Sequence, residues 1–151
     1  MHARGSRGPP GIALASLCFL LYINDLPPVL QHNRYHLYAD DLQIYVQFSP
    51  EEITDAIERL NADINRISNW STADGLTPNP GKTQLILLAS QRQLSNIHSA
   101  SLDSVLLNGV PIPFADSVKN LGVSMDKLLS GDLWVKQTCQ KTFALIHRFY
   151  R

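Results

Sequence analysis

Tyr35-His36-Leu37-Tyr38-Ala39-Asp40-Asp41-Leu42-Gln43-Ile44-Tyr45-Val46 is the stretch that decides how the rest of the chain is read. Leu42, Ile44, Val46 and Phe48 alternate with Gln43, Tyr45 and Gln47, the period of a half-buried strand. Tyr35, Leu37 and Ala39 alternate in the same way ahead of the acids. The pattern predicts a β-hairpin with Asp40 and Asp41 at or near its tip. Strand neighbours point to opposite faces, so a turn is what lets both carboxylates approach one point. Asp-Asp at a turn also has a plain structural use, because Asp bonds its own backbone there. Its chemical use is as a pair of hard oxygen ligands. Mg²⁺ takes one or two carboxylates and fills its remaining positions with substrate phosphates and water.

Tyr38-Ala39-Asp40-Asp41 between two apolar strands resembles the catalytic hairpin of reverse transcriptases. The surrounding chain, from about Pro9 to the end, is similar to the non-LTR retrotransposon branch, of the jockey-like kind. The resemblance implies an α+β fold, a partial polymerase palm in which antiparallel hairpins pack against helices. It implies RNA-directed DNA polymerisation with Mg²⁺ or Mn²⁺, an RNA template, a DNA primer and a dNTP. Asp40 and Asp41 are then the metal ligands, Asp40 the main one, and Tyr38 lies against primer or nucleotide. The implied domain layout is an irregular segment over 1–11, palm over 12–126, and the start of a thumb-like helical region over 127–151.

Composition sets the frame. The chain has 151 residues, one domain's worth, and is long enough for a real core. Formal net charge is zero, so any case for nucleic acid must be local. Cys18 and Cys139 are far apart and have no Cys or His at ligand spacing, which suggests no zinc site and no disulfide framework and fits a reducing compartment. The apolar run from Ile12 to Ile23 follows Arg4 and Arg7 and has some look of a signal peptide. It is shorter than the roughly 20 residues that span a bilayer, and no small-residue cleavage site follows. A buried helix explains the run, so no membrane and an intracellular location, in cytoplasm or nucleus, are expected.

That helix is expected from about Ala13 to Leu26, stopped by Pro27-Pro28. Aligning Leu20-Leu21-Tyr22-Ile23-Asn24-Asp25-Leu26 with the family puts Pro9-Pro10-Gly11-Ile12 on its Pro-Gln-Gly-Ser motif, which contacts template and nucleotide. Pro9 and Gly11 match. Pro10 and Ile12 replace the glutamine and serine, and Pro10 brings neither an amide side chain nor an N–H. Beyond the acidic hairpin, Ser49-Pro50-Glu51-Glu52 is a capping box with proline at the first helical position. Ile53, Ala56, Ile57, Leu60, Ile64 and Ile67 follow at helical spacing, with Asp55 and Arg59 as a supporting pair outside and Gly75 as the stop.

Gly81-Lys82-Thr83 does not make a phosphate loop, since Leu76 stands where the first glycine belongs. A strand is expected instead over Gln84 to Ala89. Asn79 and Lys82 match positions of the next palm motif, where the lysine attends the incoming triphosphate; the bland alternative is a solvated loop lysine. Gln91 to Ser101 reads as an excursion with little structure. Asn108-Gly109 between Val105-Leu106-Leu107 and Val110-Pro111-Ile112 predicts a two-residue hairpin, its second strand kept at an edge by Pro111 and Pro113. Val118 to Asp126, with Leu121 and Gly122 at its centre, resembles the family's hairpin that grips the primer end. A helix is expected from Leu133 to Tyr150. Its apolar face would be Val135, Cys139, Thr142, Phe143, Ile146 and Phe149, and Lys136, Lys141, Arg148 and Arg151 its basic side.

Two-metal nucleotidyl transfer needs ions about 4 Å apart. The family adds a further aspartate from a strand upstream of the Pro-Gln-Gly-Ser motif, and fingers upstream again. The chain therefore reads as the C-terminal part of a palm, inactive alone, whose missing upstream part is itself a partner and whose sheet has one uncovered edge open to association. Two other classes remain. One is a relic that binds nucleic acid or protein without catalysis. The other is a small metal-dependent phosphohydrolase that would recruit His32, His36, Asp25 or Asp126 beside Asp40 and Asp41. A secreted binding protein is a distant further reading.

Overall fold

The computed structural model describes residues 10–97 and 102–149. The fold is mixed α+β: helices joined by small two-stranded sheets, most of them antiparallel hairpins. Two compact units divide between Pro78 and Asn79.

The first unit is organised by its long helix. α1 covers Pro10–Tyr22, a 3₁₀ turn covers Pro27–Val29, and the hairpin β1 (Arg34–Tyr38) and β2 (Asp41–Tyr45) follows. A second 3₁₀ turn at Pro50–Glu52 leads into α2, Ile53–Ala73. The capping box forms as the sequence predicts, with the Ser49 N–H donating to Glu52 Oε2 at 3.1 Å. Pro50 fits the first turn because its missing N–H has no partner to lose there. The stop at Gly75 also forms. Its φ is +68°, and the Leu76 N–H reaches back to the Ser71 carbonyl at 2.7 Å. Ala56, Ile57 and Ile67 of α2 are buried, together with Ile23 and Leu26 from the segment after α1. Each of the buried isoleucines and Leu26 contributes about 2 kcal/mol, and Ala56 less. The Tyr22 hydroxyl donates to the Asp74 carbonyl and ties the end of α1 to the end of α2.

α1 departs from expectation in three ways, the first being that it ends at Tyr22, short of Leu26 and of the expected Pro27-Pro28 stop. It begins at Pro10 rather than Ala13, because proline without an N–H is tolerated in a first turn. Gly11 therefore lies inside a helix; Pro9 and residues 1–8 fall outside the described residues. Nor is α1 a buried helix. Leu14, Leu17, Leu20 and Leu21 are exposed, and among the described side chains burial starts only at Ile23 and Leu26. The run is apolar all round, so it has no polar side to set a facing direction. No helix among the described residues is long and apolar enough to cross a membrane.

The second unit is built from short pieces. β3 (Leu85–Ile86) pairs in parallel with β6 (Phe114–Ala115). β3 is much shorter than the strand expected over Gln84–Ala89. β4 (Val105–Leu107) and β5 (Val110–Ile112) form the expected hairpin across Asn108-Gly109, whose φ values of 52° and 77° are those of a primed turn. Val105, Leu107 and Ile112 are its buried residues. β7 (Ser117–Asn120) and β8 (Val123–Asp126) form a third hairpin, and α4 (Asp132–Phe149) packs on β8.

Two expectations for this unit are corrected. Gln91–Asn96 is a helix, α3, not an unstructured excursion. Its cap was in plain view: Ser90 and Gln93 make a reciprocal capping box, with the Ser90 N–H on Gln93 Oε1 at 3.0 Å. Residues 98–101 of that stretch lie outside the described residues. On α4 the stripe read as a core face is largely exposed: Val135, Cys139, Thr142, Phe143 and Ile146 all face solvent. Among the described side chains of α4 the half-buried ones are Leu133 and Gln137, and Ser124 of β8 donates to Gln137 Oε1 at 2.7 Å. Spacing shows which residues share a face, not whether anything covers it. The side chain of Phe149 and residues 150–151 fall outside the description.

Candidate active-site hairpin

β1 and β2 pair in register from Arg34↔Tyr45 to Tyr38↔Asp41, which leaves Ala39 and Asp40 as a two-residue turn. Asp40 is therefore the second turn residue and Asp41 the first residue of β2. Ala39 has φ 51°, a left-handed value that costs a non-glycine residue about 1–2 kcal/mol. Asp40 does not share it. A positive φ at the first turn residue alone is the pattern of a II′ turn, where glycine is usual. Strain of this kind persists only when the surroundings enforce it, and it gathers at functional sites.

The hairpin has two faces. Tyr35, Leu37, Leu42 and Ile44 lie on one, and all but Tyr35 are half-buried. Arg34, His36, Tyr38, Asp41, Gln43 and Tyr45 lie on the other, where only Gln43 is half-buried. Tyr38 is 65% exposed at the tip. The rings of His36 and Tyr45 stack with centroids 5.5 Å apart, and His36 Nε2 is 3.4 Å from the Tyr45 hydroxyl. Among the described residues, no hydrogen bond or ion pair engages the carboxylate of Asp40 or Asp41. An Asp-Asp pair serving only to shape a turn would spend its oxygens on local backbone N–H groups, and this pair does not.

The hairpin is fixed to α2 by Asp63, which no motif of the sequence had singled out. Asp63 is fully buried. It accepts the consecutive N–H groups of Gln31, His32 and Asn33 at 3.0, 3.0 and 2.9 Å, and Asn33 Nδ2 at 2.8 Å. Arg66 completes its shell at 2.8 Å. Burial pushes the carboxyl pKa up, but the backbone and Asn33 hydrogen bonds outweigh it and hold the group below its usual range. Asn33 Nδ2 also donates to the Arg59 carbonyl at 3.1 Å. The residues just ahead of β1 are thus stitched to α2. One signal was legible: an acid three residues after Leu60 and four before Ile67 sits in the apolar stripe, where unpaired acids are rarely found.

Other expected site residues lie in the second unit. The 79–83 loop is held by Asn79, whose Oδ1 accepts the Gly81 N–H at 2.9 Å and whose carbonyl accepts from Lys82 and Thr83. Lys82 is exposed, and among the described residues nothing pairs its ammonium. Leu121 and Gly122 form the two-residue turn between β7 and β8, with φ 46° and 87°. Leu121 is 54% exposed, so a bulky apolar side chain stands at a strained hairpin tip in solvent. Gly11 lies in α1, at the opposite end of that helix from the residues that reach the core.

Asp40 and Asp41 offer only oxygen donors, which suits Mg²⁺ or Mn²⁺. Two exposed, unpaired carboxylates fit the share of ligands a protein gives such an ion when phosphates and water supply the others. Among the described residues no group of three or more His, Cys, Asp or Glu could hold a metal by itself. Among the described residues, the third ligand that a phosphohydrolase would need is therefore not beside Asp40 and Asp41. Asp126, one candidate for it, is already engaged: it accepts from the Ser130 hydroxyl at 2.6 Å and the Ser130 and Leu128 N–H groups. The Ser130 bonds, side chain first, lower its pKa. His36 is stacked on Tyr45. The Asp55–Arg59 pair expected on α2 is not formed either, and nothing among the described residues pairs the Arg59 guanidinium.

A family model described as reverse transcriptase (RNA-dependent DNA polymerase) matches residues 2–125. No curated protein and no solved structure matches the chain.

Proposed function

Since the chain belongs to the reverse transcriptase (RNA-dependent DNA polymerase) family, we propose that its β1–β2 hairpin is the metal-binding hairpin of a polymerase palm. The observation that carries this reading is the pair of unspent carboxylates at a two-residue turn held in a strained conformation. Asp40 is the main ligand and Asp41 the second. A divalent ion held there supplies activation of a primer hydroxyl and neutralisation of phosphate charge. Tyr38 presents its exposed ring to the primer end or the nucleotide. Lys82, free in its loop, attends the triphosphate as a point charge. Leu121 and Gly122 touch the primer strand through the tip of β7–β8, and Gly11 lies near the nucleotide. The element type is a non-LTR retrotransposon of the jockey-like kind, with palm over 12–126 and a thumb-like region from 127. Template, primer and dNTP are RNA, DNA and deoxynucleoside triphosphate.

The chain alone is proposed not to polymerise. Asp40 and Asp41 lack a third carboxylate among the described residues, and the undescribed ones contain no Asp or Glu. Two ions with a triphosphate need more than two carboxylates between them. Electron paramagnetic resonance of free Mn²⁺ tests the site. The chain with a dNTP should deplete the free-ion signal further than the dNTP alone does, and Asp40→Asn with Asp41→Asn should return it to the dNTP-only level. A signal no lower with the unsubstituted chain than with the dNTP alone overturns the assignment. Template-dependent primer extension by the purified chain would overturn the inactivity claim alone.

A further inference from the structure

We propose that the base of the β1–β2 hairpin carries a separate site for the phosphodiester backbone of a nucleic-acid strand, centred on Arg34 and Arg59. A hollow of about 320 Å³ opens there, lined by His32, Arg34, Tyr45, Val46, Gln47 and Arg59. Arg34 comes from the first position of β1 and Arg59 from α2. Both are exposed, and among the described residues no ion pair or hydrogen bond engages either guanidinium. Two unneutralised arginines converging on one hollow, in a chain of zero net charge, form a local field for an anion. Guanidinium forks match phosphate oxygens in pairs.

The walls are held in place before any ligand arrives. Asp63 binds the backbone of His32 and its neighbours, and Asn33 binds the Arg59 carbonyl, so the strand side and the helix side of the hollow are joined. Asp63 is itself paired with Arg66 and buried, which keeps its charge from satisfying Arg34 or Arg59. Tyr45 adds an aromatic face, stacked on His36 and 43% exposed. Cations beside an exposed ring are the elements of a single-strand platform, where phosphates meet charge and bases meet rings.

Position selects a strand over a free anion. Arg34, His36 and Tyr38 share one face of β1, and Tyr45, Gln43 and Asp41 the same face of β2. From Arg34 to Tyr38 is about 13 Å at strand rise. A strand whose end lies at Asp40 and Asp41 would reach the hollow within its first few nucleotides. That the occupant is a nucleic-acid strand rests on the polymerase reading; the arginine hollow itself does not.

The test is fluorescence anisotropy of a short labelled single-stranded oligonucleotide with the full chain, over a range of salt. Each single-strand phosphate contact contributes about 0.7 to the salt slope, so two arginines contribute about 1.4. Arg34→Ala with Arg59→Ala should lower the slope by that amount and weaken binding about 25-fold at about 0.1 M salt. Arg92→Ala, on α3, should change neither. Amide shifts of the unsubstituted chain give a second measurement that needs no variant: residues 32–34, 45–47 and 59 should move on titration. Unchanged affinity and slope in the double variant, or shifts confined to other residues, overturns the site. Displacement of the oligonucleotide by inorganic phosphate at equal phosphate concentration overturns the strand in favour of a free ion. Asp40→Asn with Asp41→Asn should lose Mn²⁺ and keep the oligonucleotide, which separates failure of this site from failure of the metal site.

Discussion

Asp63→Ala removes the acceptor on which the whole hairpin is hung. The fully buried carboxylate takes three successive backbone N–H groups, one side-chain amide and one guanidinium, all between 2.8 and 3.0 Å. A hydrogen bond to a charged group contributes about 1.5–3 kcal/mol, and orphaning its partner costs more than the bond's net gain. Some loss is recovered, because the 31–33 segment is partly open and water can reach it. The sum is about 3–5 kcal/mol, the range found when one partner of a buried ionic cluster is removed. A domain of this size has about 5–15 kcal/mol in total. Urea unfolding should show the midpoint falling steeply with little change in slope, and amide exchange at Gln31, His32 and Asn33 should lose its protection. Asp63→Asn keeps the shape but turns an N–H₂ toward donors, so it should fall between alanine and the native residue. A loss under about 1 kcal/mol in Asp63→Ala, with those amides still protected, would refute the tethering role.

Further outcomes follow from the same geometry. Because the folded pKa of Asp63 is lowered, its contribution is fully present above the unfolded value and lost as pH falls through the folded one. Acid titration of Asp63→Ala should therefore show a shallower loss of stability below about pH 4 than the unsubstituted chain. Ala39→Gly should stabilise the hairpin by up to about 1 kcal/mol, since glycine accepts φ 51° freely, and Ala39→Val should destabilise it; thermal midpoints decide both. Leu121→Gly should likewise raise the melting temperature while removing the apolar tip from any strand it touches. Asp40→Asn and Asp41→Asn should leave the urea midpoint unchanged, because no described group depends on either carboxylate.

What was legible in the sequence was local. Asn108-Gly109 fixes its own turn through backbone freedom, and Ser49 with Glu52 starts α2 whatever lies around them. The alternation from Tyr35 to Val46 was enough for the hairpin, although β2 ends at Tyr45 rather than running to Phe48. Less could be read where an outcome depends on what covers a residue. The leucines of α1 and the stripe on α4 are apolar by pattern yet exposed. Asp63 marks the opposite failure. Its contacts come from a segment some thirty residues earlier in the chain, at |i−j| of 30 to 32, and no spacing rule reaches that far. The free state of Arg59 was hidden for a related reason, since its spacing from Asp55 suggested a pair that does not form. Asp40 and Asp41 were picked out through the motif; what the structure adds is that no described neighbour uses up their carboxylates.

Paramagnetic broadening by Mn²⁺ on the labelled chain puts the hairpin assignment to the most direct test. Signals from Tyr38 to Leu42 should broaden first as the ion is added with a dNTP, and the double asparagine substitution at 40 and 41 should leave them sharp. Broadening centred anywhere else, or persisting in that variant, would contradict the account.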